Sequence, residues 1–256
     1  MRLVLFLLFA VAVAATGARA EPLSAGGGGR VVEVVDGDTV LLDDGVEVRM
    51  VGIQAPKLPL GRAGFEAWPL ADEAKAALEA LILGKTVTLS YGGRRMDRHG
   101  RALAHLHGPH GGWIQGEMLR LGLARVYSFH DNTALVDEML ALEREARGAR
   151  RGIWAHRYYR VLNATETPKF IDTFRLVEGR VLDAARVRGR MYLNFGEDWR
   201  SDFTVTMSPR DMKRFTGALA EPSHWKGRRI RVRGWLKAFN GPMIEATHPQ
   251  QIELLD

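Results

Sequence analysis

Residues 31–50 read VVEVVDGDTVLLDDGVEVRM, and this run decides how the chain folds. Residues 31–35 are mostly β-branched and apolar, which predicts a strand. Residues 39–42 predict a second strand, and Asp44-Gly45 is a strong hairpin-turn signal. Beyond the turn, Val46, Val48 and Met50 alternate with Glu47 and Arg49, which puts Arg49 on the polar side of a third strand. Asp36-Gly37-Asp38-Thr39 joins the first two strands and brings two carboxylates within one glycine of each other.

Outward from this hairpin, residues 69–83 predict a helix. Leu70, Ala74, Ala77, Leu78 and Leu81 share one stripe, with Pro69 at the start and Gly84 at the stop. Residues 86–90 and 103–107 predict strands, and 113–121 and 133–147 predict helices ended by Gly122 and Gly148. Three strands, a helix, two strands and two helices make a small five-stranded barrel of the OB type, whose open face commonly holds oligonucleotides. Residues 156–173 have no clear period and read as a connector. From 174 to 256 the order is again strands (176–187, 190–195, 202–207), a short helix (209–219) and strands (229–239, 243–255), with Asn240-Gly241 as a turn. The fold class is therefore mainly β with helices (α+β), two OB-like barrels in tandem at 30–155 and 174–256. The second barrel rests on element order alone, since no internal sequence repeat links the two.

Residues 1–20 read as a secretory signal peptide: Arg2, an apolar run over 3–15, and Ala18-Arg19-Ala20 as the cleavage site. That run is shorter than the ~20 apolar residues a membrane span needs, so the expectation is export, cleavage near Ala20, no stable membrane insertion and a periplasmic or secreted protein. Residues 21–29, with four consecutive glycines, predict a flexible linker. There is no cysteine, which excludes disulfides and zinc–thiolate sites. The formal net charge is +6 and most of the cations are arginines, which favours a polyanionic partner. Oligomeric state is not legible at this level.

Three pieces carry the chemistry: Asp36-Gly37-Asp38-Thr39-Val40; Arg49 ending a strand before Gly52-Ile53-Gln54-Ala55-Pro56-Lys57; and Asp97-Arg98-His99-Gly100-Arg101 before a strand. With Gly122-Leu123-Ala124-Arg125-Val126 and Gly152-Ile153-Trp154, this order and spacing resembles the staphylococcal nuclease (thermonuclease) family over about 30–154. The resemblance implies calcium on carboxylates, one of them Asp38 with Asp36 beside it. It also implies two arginines, Arg49 and Arg101, that hold a phosphate and stabilise transition-state charge. Two positions depart from the family pattern. Gln54 stands where the family has a second calcium-binding aspartate, and an uncharged carbonyl there weakens calcium binding. Lys57 stands where the family has the glutamate that activates water, and an ammonium has no lone pair to accept a proton. The expected metal set is thus Asp36, Asp38 and Gln54, with weakened affinity. The expected phosphate set is Arg49, Arg101, Lys57 and Arg98, and the expected partner is DNA or RNA, single-stranded.

Three functions stay open: a nucleic-acid binder that does not cut, with Lys57 as a cationic phosphate contact in place of metal; a slow phosphodiesterase using Glu66 or His99 as base; and a non-catalytic structural protein of the envelope. His105, His107 and His110 could hold a metal but fit a polar strand edge better. Tyr127 and Phe129 serve either base stacking or the core. In the second unit, Arg186, Arg188, Arg190, Arg228, Arg229, Arg231 and Arg233 with Tyr192, Trp199 and Trp235 mix cations with stacking surfaces, as nucleic-acid binders do.

Overall fold

The computed structural model describes residues 23–256, so the expected leader lies outside the described residues. The first unit runs β1 (Ser24–Asp36), β2 (Thr39–Leu42), β3 (Glu47–Met50), β4 (Ile53–Gln54), α1 (Ala71–Ile82), β5 (Thr86–Tyr91), β6 (Ala102–His107), α2 (Ile114–Arg120), β7 (Arg125–Val126) and α3 (Val136–Gly148). Strands β1, β2, β3, β6 and β5 close into a barrel. β3 and β6 run parallel; the other neighbours are antiparallel. Alternation fills it: Val34, Val40, Val48, Leu89 and Leu106 point inward, and Leu78 and Ile82 of α1 pack on the same core.

The glycine run is not a linker. Ser24, Ala25, Gly28 and Gly29 pair with Tyr91, Ser90, Thr88 and Val87 of β5, with a bulge at Gly26-Gly27 where Gly27 takes φ +79°. A Cβ on Gly28 would lie 2.1 Å from the Val87 carbonyl oxygen, and one on Gly26 would lie 2.1 Å from the Tyr91 ring. The glycines are there for close approach, and the β5 edge supplies the order that their own backbone lacks.

The second unit contains β8 (Leu162–Asn163), β9 (Phe174–Arg180), β10 (Asp183–Val187), β11 (Arg190–Asn194), β12 (Thr204–Met207), α4 (Pro222–Trp225), β13 (Arg229–Trp235), β14 (Lys237–Ala238), β15 (Pro242–Glu245) and β16 (Ile252–Leu254). Each of four expected continuous strands or helices is interrupted, and the 229–239 strand bends at Leu236, between β13 and β14, which lie in different sheets. The 176–187 strand bends at Val181-Leu182, where Val181 N–H donates to Arg228 and Leu182 N–H donates to Asn194 in the other sheet. The 209–219 helix is two 3-10 turns, because Phe215 leaves helical geometry to enter the core. The 243–255 strand breaks around Pro249, which has no N–H to give a ladder. Part of the connector joins this unit as well: Leu162 and Ala164 are in its core, and β8 pairs with β9.

Traced through its bends, the second unit repeats the first. The cyclic order is β9/β10, β11, β12, β15, β13/β14, and β13 closes on β9; β12 and β15 form the one parallel pair in the ring. That is the connectivity of β1, β2, β3, β6 and β5. The units meet across a buried charge cluster. Arg233 of β13 is 1 % exposed and donates to Glu143 of α3 (3.0 Å to each oxygen) and to Glu253 of β16 (2.6 Å). Phe174, Leu176, Trp154 and Tyr159 pack beside it.

Candidate nucleic-acid site

The turn between β1 and β2 puts both carboxylates at the barrel mouth. The Asp38 N–H donates to Asp36 Oδ1 (3.1 Å). Gly37 is required for space: a Cβ there would lie 2.7 Å from the Ala55 Cβ and 2.8 Å from the Ala74 Cβ, where α1 crosses underneath. Asp38 is fully buried and receives the Ala55 N–H on Oδ2 (2.7 Å). The Lys57 ammonium bonds Asp38 Oδ1 (2.6 Å) and Oδ2 (2.7 Å) and also Asp36 Oδ2 (3.0 Å). Arg49 Nη1 is 3.2 Å from Asp38 Oδ1. Burial opposes charge on Asp38, but Arg49 and Lys57 outweigh it and hold its carboxyl well below the usual range. Asp36 goes the other way: burial and the charge of Asp38 raise it, against the pull of Lys57 and Arg49.

These residues do not fit calcium. The point on which the two carboxylates converge is taken by the Lys57 ammonium, a cation supplied by the chain itself. Gln54, expected as a third ligand, turns its Oε1 to Arg125, which donates from Nε (3.0 Å) and Nη2 (2.7 Å). Arg125 is buried, and burial draws its guanidinium down to about 10. Its Nη1 reaches the Phe174 carbonyl of the second unit (3.2 Å). Among the described residues, no group of three or more His, Cys, Asp or Glu side chains is arranged to hold a metal ion. Lys57 is engaged by carboxylates and does not line the arginine pocket, contrary to its expected phosphate role.

Arg49 and Arg101 do share a pocket, of about 490 Å³, with Arg94, Arg98 and His99. Arg49 reaches it from β3, where it pairs with Thr39 and Leu103. Its guanidinium donates to the carbonyls of Met50 (2.6 Å) and Ile53 (2.7 Å), which fix its direction. Arg101 precedes β6 and is aimed by Asp97. That carboxylate accepts from Arg101 Nε (2.8 Å) and from the N–H groups of Arg101 (3.0 Å) and His99 (2.8 Å). Burial opposes the charge on Asp97, and these bonds from Arg101 and His99 overcome it and lower its carboxyl. Asp97 and Arg125 are the site residues that sequence reasoning quoted without a role. The signal for Arg125 was available: a charge between Ala124 and Val126 in an apolar segment needs a buried partner.

The other candidates separate. Tyr127 and Phe129 both line the pocket, edge to face at 4.9 Å, and Phe129 is half exposed. Glu66 lies on an exposed loop and is not among the lining residues. His99 lines the pocket, with its Nε2 accepting from Arg98 (3.0 Å). His105 is buried against Trp113, and burial pushes it down to about 4. His107 bonds Ser90 (2.9 Å). The arginine row of β13 is not a phosphate track, since Arg231 pairs with Glu178 (2.9 Å) and Arg233 is buried between the units. Trp225 is core, and Trp235 donates to the Tyr127 hydroxyl (3.1 Å).

Comparison with known proteins agrees with this geometry. The profile described as staphylococcal nuclease homologue matches residues 47–156. An uncharacterized endonuclease of Escherichia coli is 35 % identical over 130 residues, covering 50 % of this chain and 76 % of that protein. The protein ParB of Escherichia coli is 35 % identical over 138 residues, 50 % of this chain and 72 % of that protein. A probable endonuclease, LCL3, of Schizophyllum commune is 36 % identical, over 45 % of this chain and 42 % of its own length. A barrel with paired carboxylates at its mouth, two arginines in one pocket and this degree of identity place the chain in the staphylococcal nuclease homologue family.

Proposed function

We propose that this protein binds single-stranded nucleic acid through the Arg49–Arg101 pocket and does not use a divalent ion to cut it. One observation carries the reading: the Lys57 ammonium, bonded to both Asp36 and Asp38. It occupies the point on which those carboxylates converge, and it replaces the only residue the family pattern offers as base. Two guanidinium groups with fixed directions remain, and fork-like donors of this kind suit a phosphodiester. Arg94 and Arg98 extend the positive surface, and Phe129 offers a ring to a base.

The test is anisotropy of a labelled single-stranded oligonucleotide, with a gel assay for cleavage. Binding is expected with or without calcium. Arg101→Ala is expected to weaken it by about 10- to 100-fold, the loss of a charge-assisted contact. Gln54→Asp combined with Lys57→Glu is expected to make cleavage appear and depend on calcium. Calcium-dependent cleavage by the unaltered protein that this double substitution leaves unchanged would refute the reading. Slow hydrolysis with His99 as base is the second reading. His99 lines the pocket, but its Nε2 is already hydrogen-bonded to Arg98. Export is part of the same proposal: the mature chain is expected to begin at Glu21, as N-terminal sequencing of the periplasmic or secreted protein would report.

A further inference from the structure

We infer that the outer face of the second barrel is a stacking site for the bases of a single-stranded nucleic acid, separate from the Arg49–Arg101 pocket and not dependent on the reading of that pocket. Strands β11, β12 and β15 turn Leu193, Val205 and Ile244 into the core. Their alternate residues Tyr192, Asn194, Thr206 and Met243 line a groove of about 440 Å³ on the opposite face. Trp199 enters from the β11–β12 loop and Phe239 from the β14–β15 turn. Trp199 is 49 % exposed and Phe239 is 65 % exposed. One exposed aromatic is ordinary; three aromatic side chains lining one groove are a platform.

The charges around the groove select the occupant. Among the described residues, no carboxylate lines it. Glu245, beside it on β15, is answered by Arg190 (3.3 Å) and Lys237 (4.0 Å). The Arg200 guanidinium lies 4.3 Å over the Trp199 ring. Asp198 and Asp202 are turned into their own loop, accepting from Arg200 N–H, Ser201 and Asp198 N–H. Among the described residues the Arg200 guanidinium is the rim cation that has no ion pair, and it lies on the Trp199 ring, while the floor is aromatic and uncharged. A polymer with flat apolar bases on an anionic backbone matches both parts, whereas a neutral glycan uses only the floor. The second and third strands of an OB-type barrel, with the turn between the fourth and fifth, form the face on which such barrels hold oligomers. Here those elements are β11, β12 and the β14–β15 turn.

The test uses the full chain and a fluorescein-labelled oligothymidylate at low salt. Trp199→Ala and Phe239→Ala are each expected to weaken binding by about tenfold, the worth of one stacked base. Both side chains are substantially exposed, and an unchanged thermal midpoint would confirm that each variant folds. Binding of a deoxynucleotide 3′,5′-bisphosphate, which is too short to need the groove, is expected to stay at the level of the unaltered protein. An oligothymidylate that binds the doubly substituted chain as tightly as the unaltered one would overturn the inference. So would a neutral chito-oligosaccharide that saturates the groove in competition with no effect from oligothymidylate. A bisphosphate that fails to bind the unaltered protein would count against the Arg49–Arg101 pocket alone.

Discussion

Lys57 makes three short contacts to two buried carboxylates, and its removal is costly for a definite reason. Lys57→Met leaves Asp36 and Asp38 facing each other with only Arg49 nearby. The expected loss is about 3 kcal/mol or more in a denaturant titration, the usual cost of stranding a buried charge. The same geometry predicts the response to ions: calcium is expected to raise the thermal midpoint of the Gln54→Asp, Lys57→Glu chain and to leave the unaltered protein unmoved. The two aspartates also respond oppositely to pH. Asp38 is held below its ordinary value of 3.8, so its contribution is present above that value and is lost as pH falls through the folded value. Asp36 is raised, so its contribution is present below 3.8 and is lost as pH rises through its folded value. Asp36→Asn is therefore expected to gain stability over the unaltered protein between pH 4 and pH 7, as thermal melts at the two pH values would show. Sequence named Asp38, Arg49 and Arg101 because their spacing is a pattern. It misplaced Lys57 because an ammonium on a four-carbon stem reaches phosphate or carboxylate equally well, and only the fold decides which is nearer.

The barrel elements were legible wherever period two or period 3.6 ran unbroken. Residues 39–42 are β2 to the residue, and Ala74 and Leu78 of the expected stripe lie on the buried face of α1, which Ala71 and Ile82 complete while Ala77 and Leu81 are only partly buried. What failed was composition read without a neighbour. Four glycines look disordered alone, yet in β1 they are the narrow side of a ladder. Gly28→Ala is accordingly expected to cost about 1–3 kcal/mol, since its Cβ meets backbone and no side chain can swing away. Hydrogen exchange should speed up along β1 and β5 in that variant. Exchange unchanged in both strands would return the segment to linker status. The bends at Val181-Leu182 and Leu236 were also invisible, because a strand that changes sheets keeps its apolar character throughout.

The two barrels are joined by charge as well as by apolar contact. Arg233 with Glu143 and Glu253 is fully enclosed, Glu143 also receives the Val126 N–H, and Ser128 bonds His248 across the same junction (2.9 Å). Arg233→Met is expected to cost about 3–5 kcal/mol and to split one calorimetric transition into two, because Glu143 is left buried without its main partner. His248 is pushed down to about 4 by burial, with His130, Arg214 and Arg233 adding to the effect. Its contribution is whole above the ordinary value of 6.5 and drains away as pH falls toward 4. His248→Gln should flatten that part of the stability profile. None of this junction could be read from the sequence, where Arg233 is one of four arginines in a row of six and looks like surface.

A cation that is part of a side chain cannot be chelated, diluted or displaced by competing ions in the surroundings. The carboxylate pair at the barrel mouth is thus neutralised from the moment the chain folds, whatever the supply of calcium outside. A relative that recruits its ion from solution has an on–off control in the concentration of that ion. On the proposed reading this protein lacks that control, and the arginine pocket beside the pair meets the same neighbouring charge at any calcium concentration.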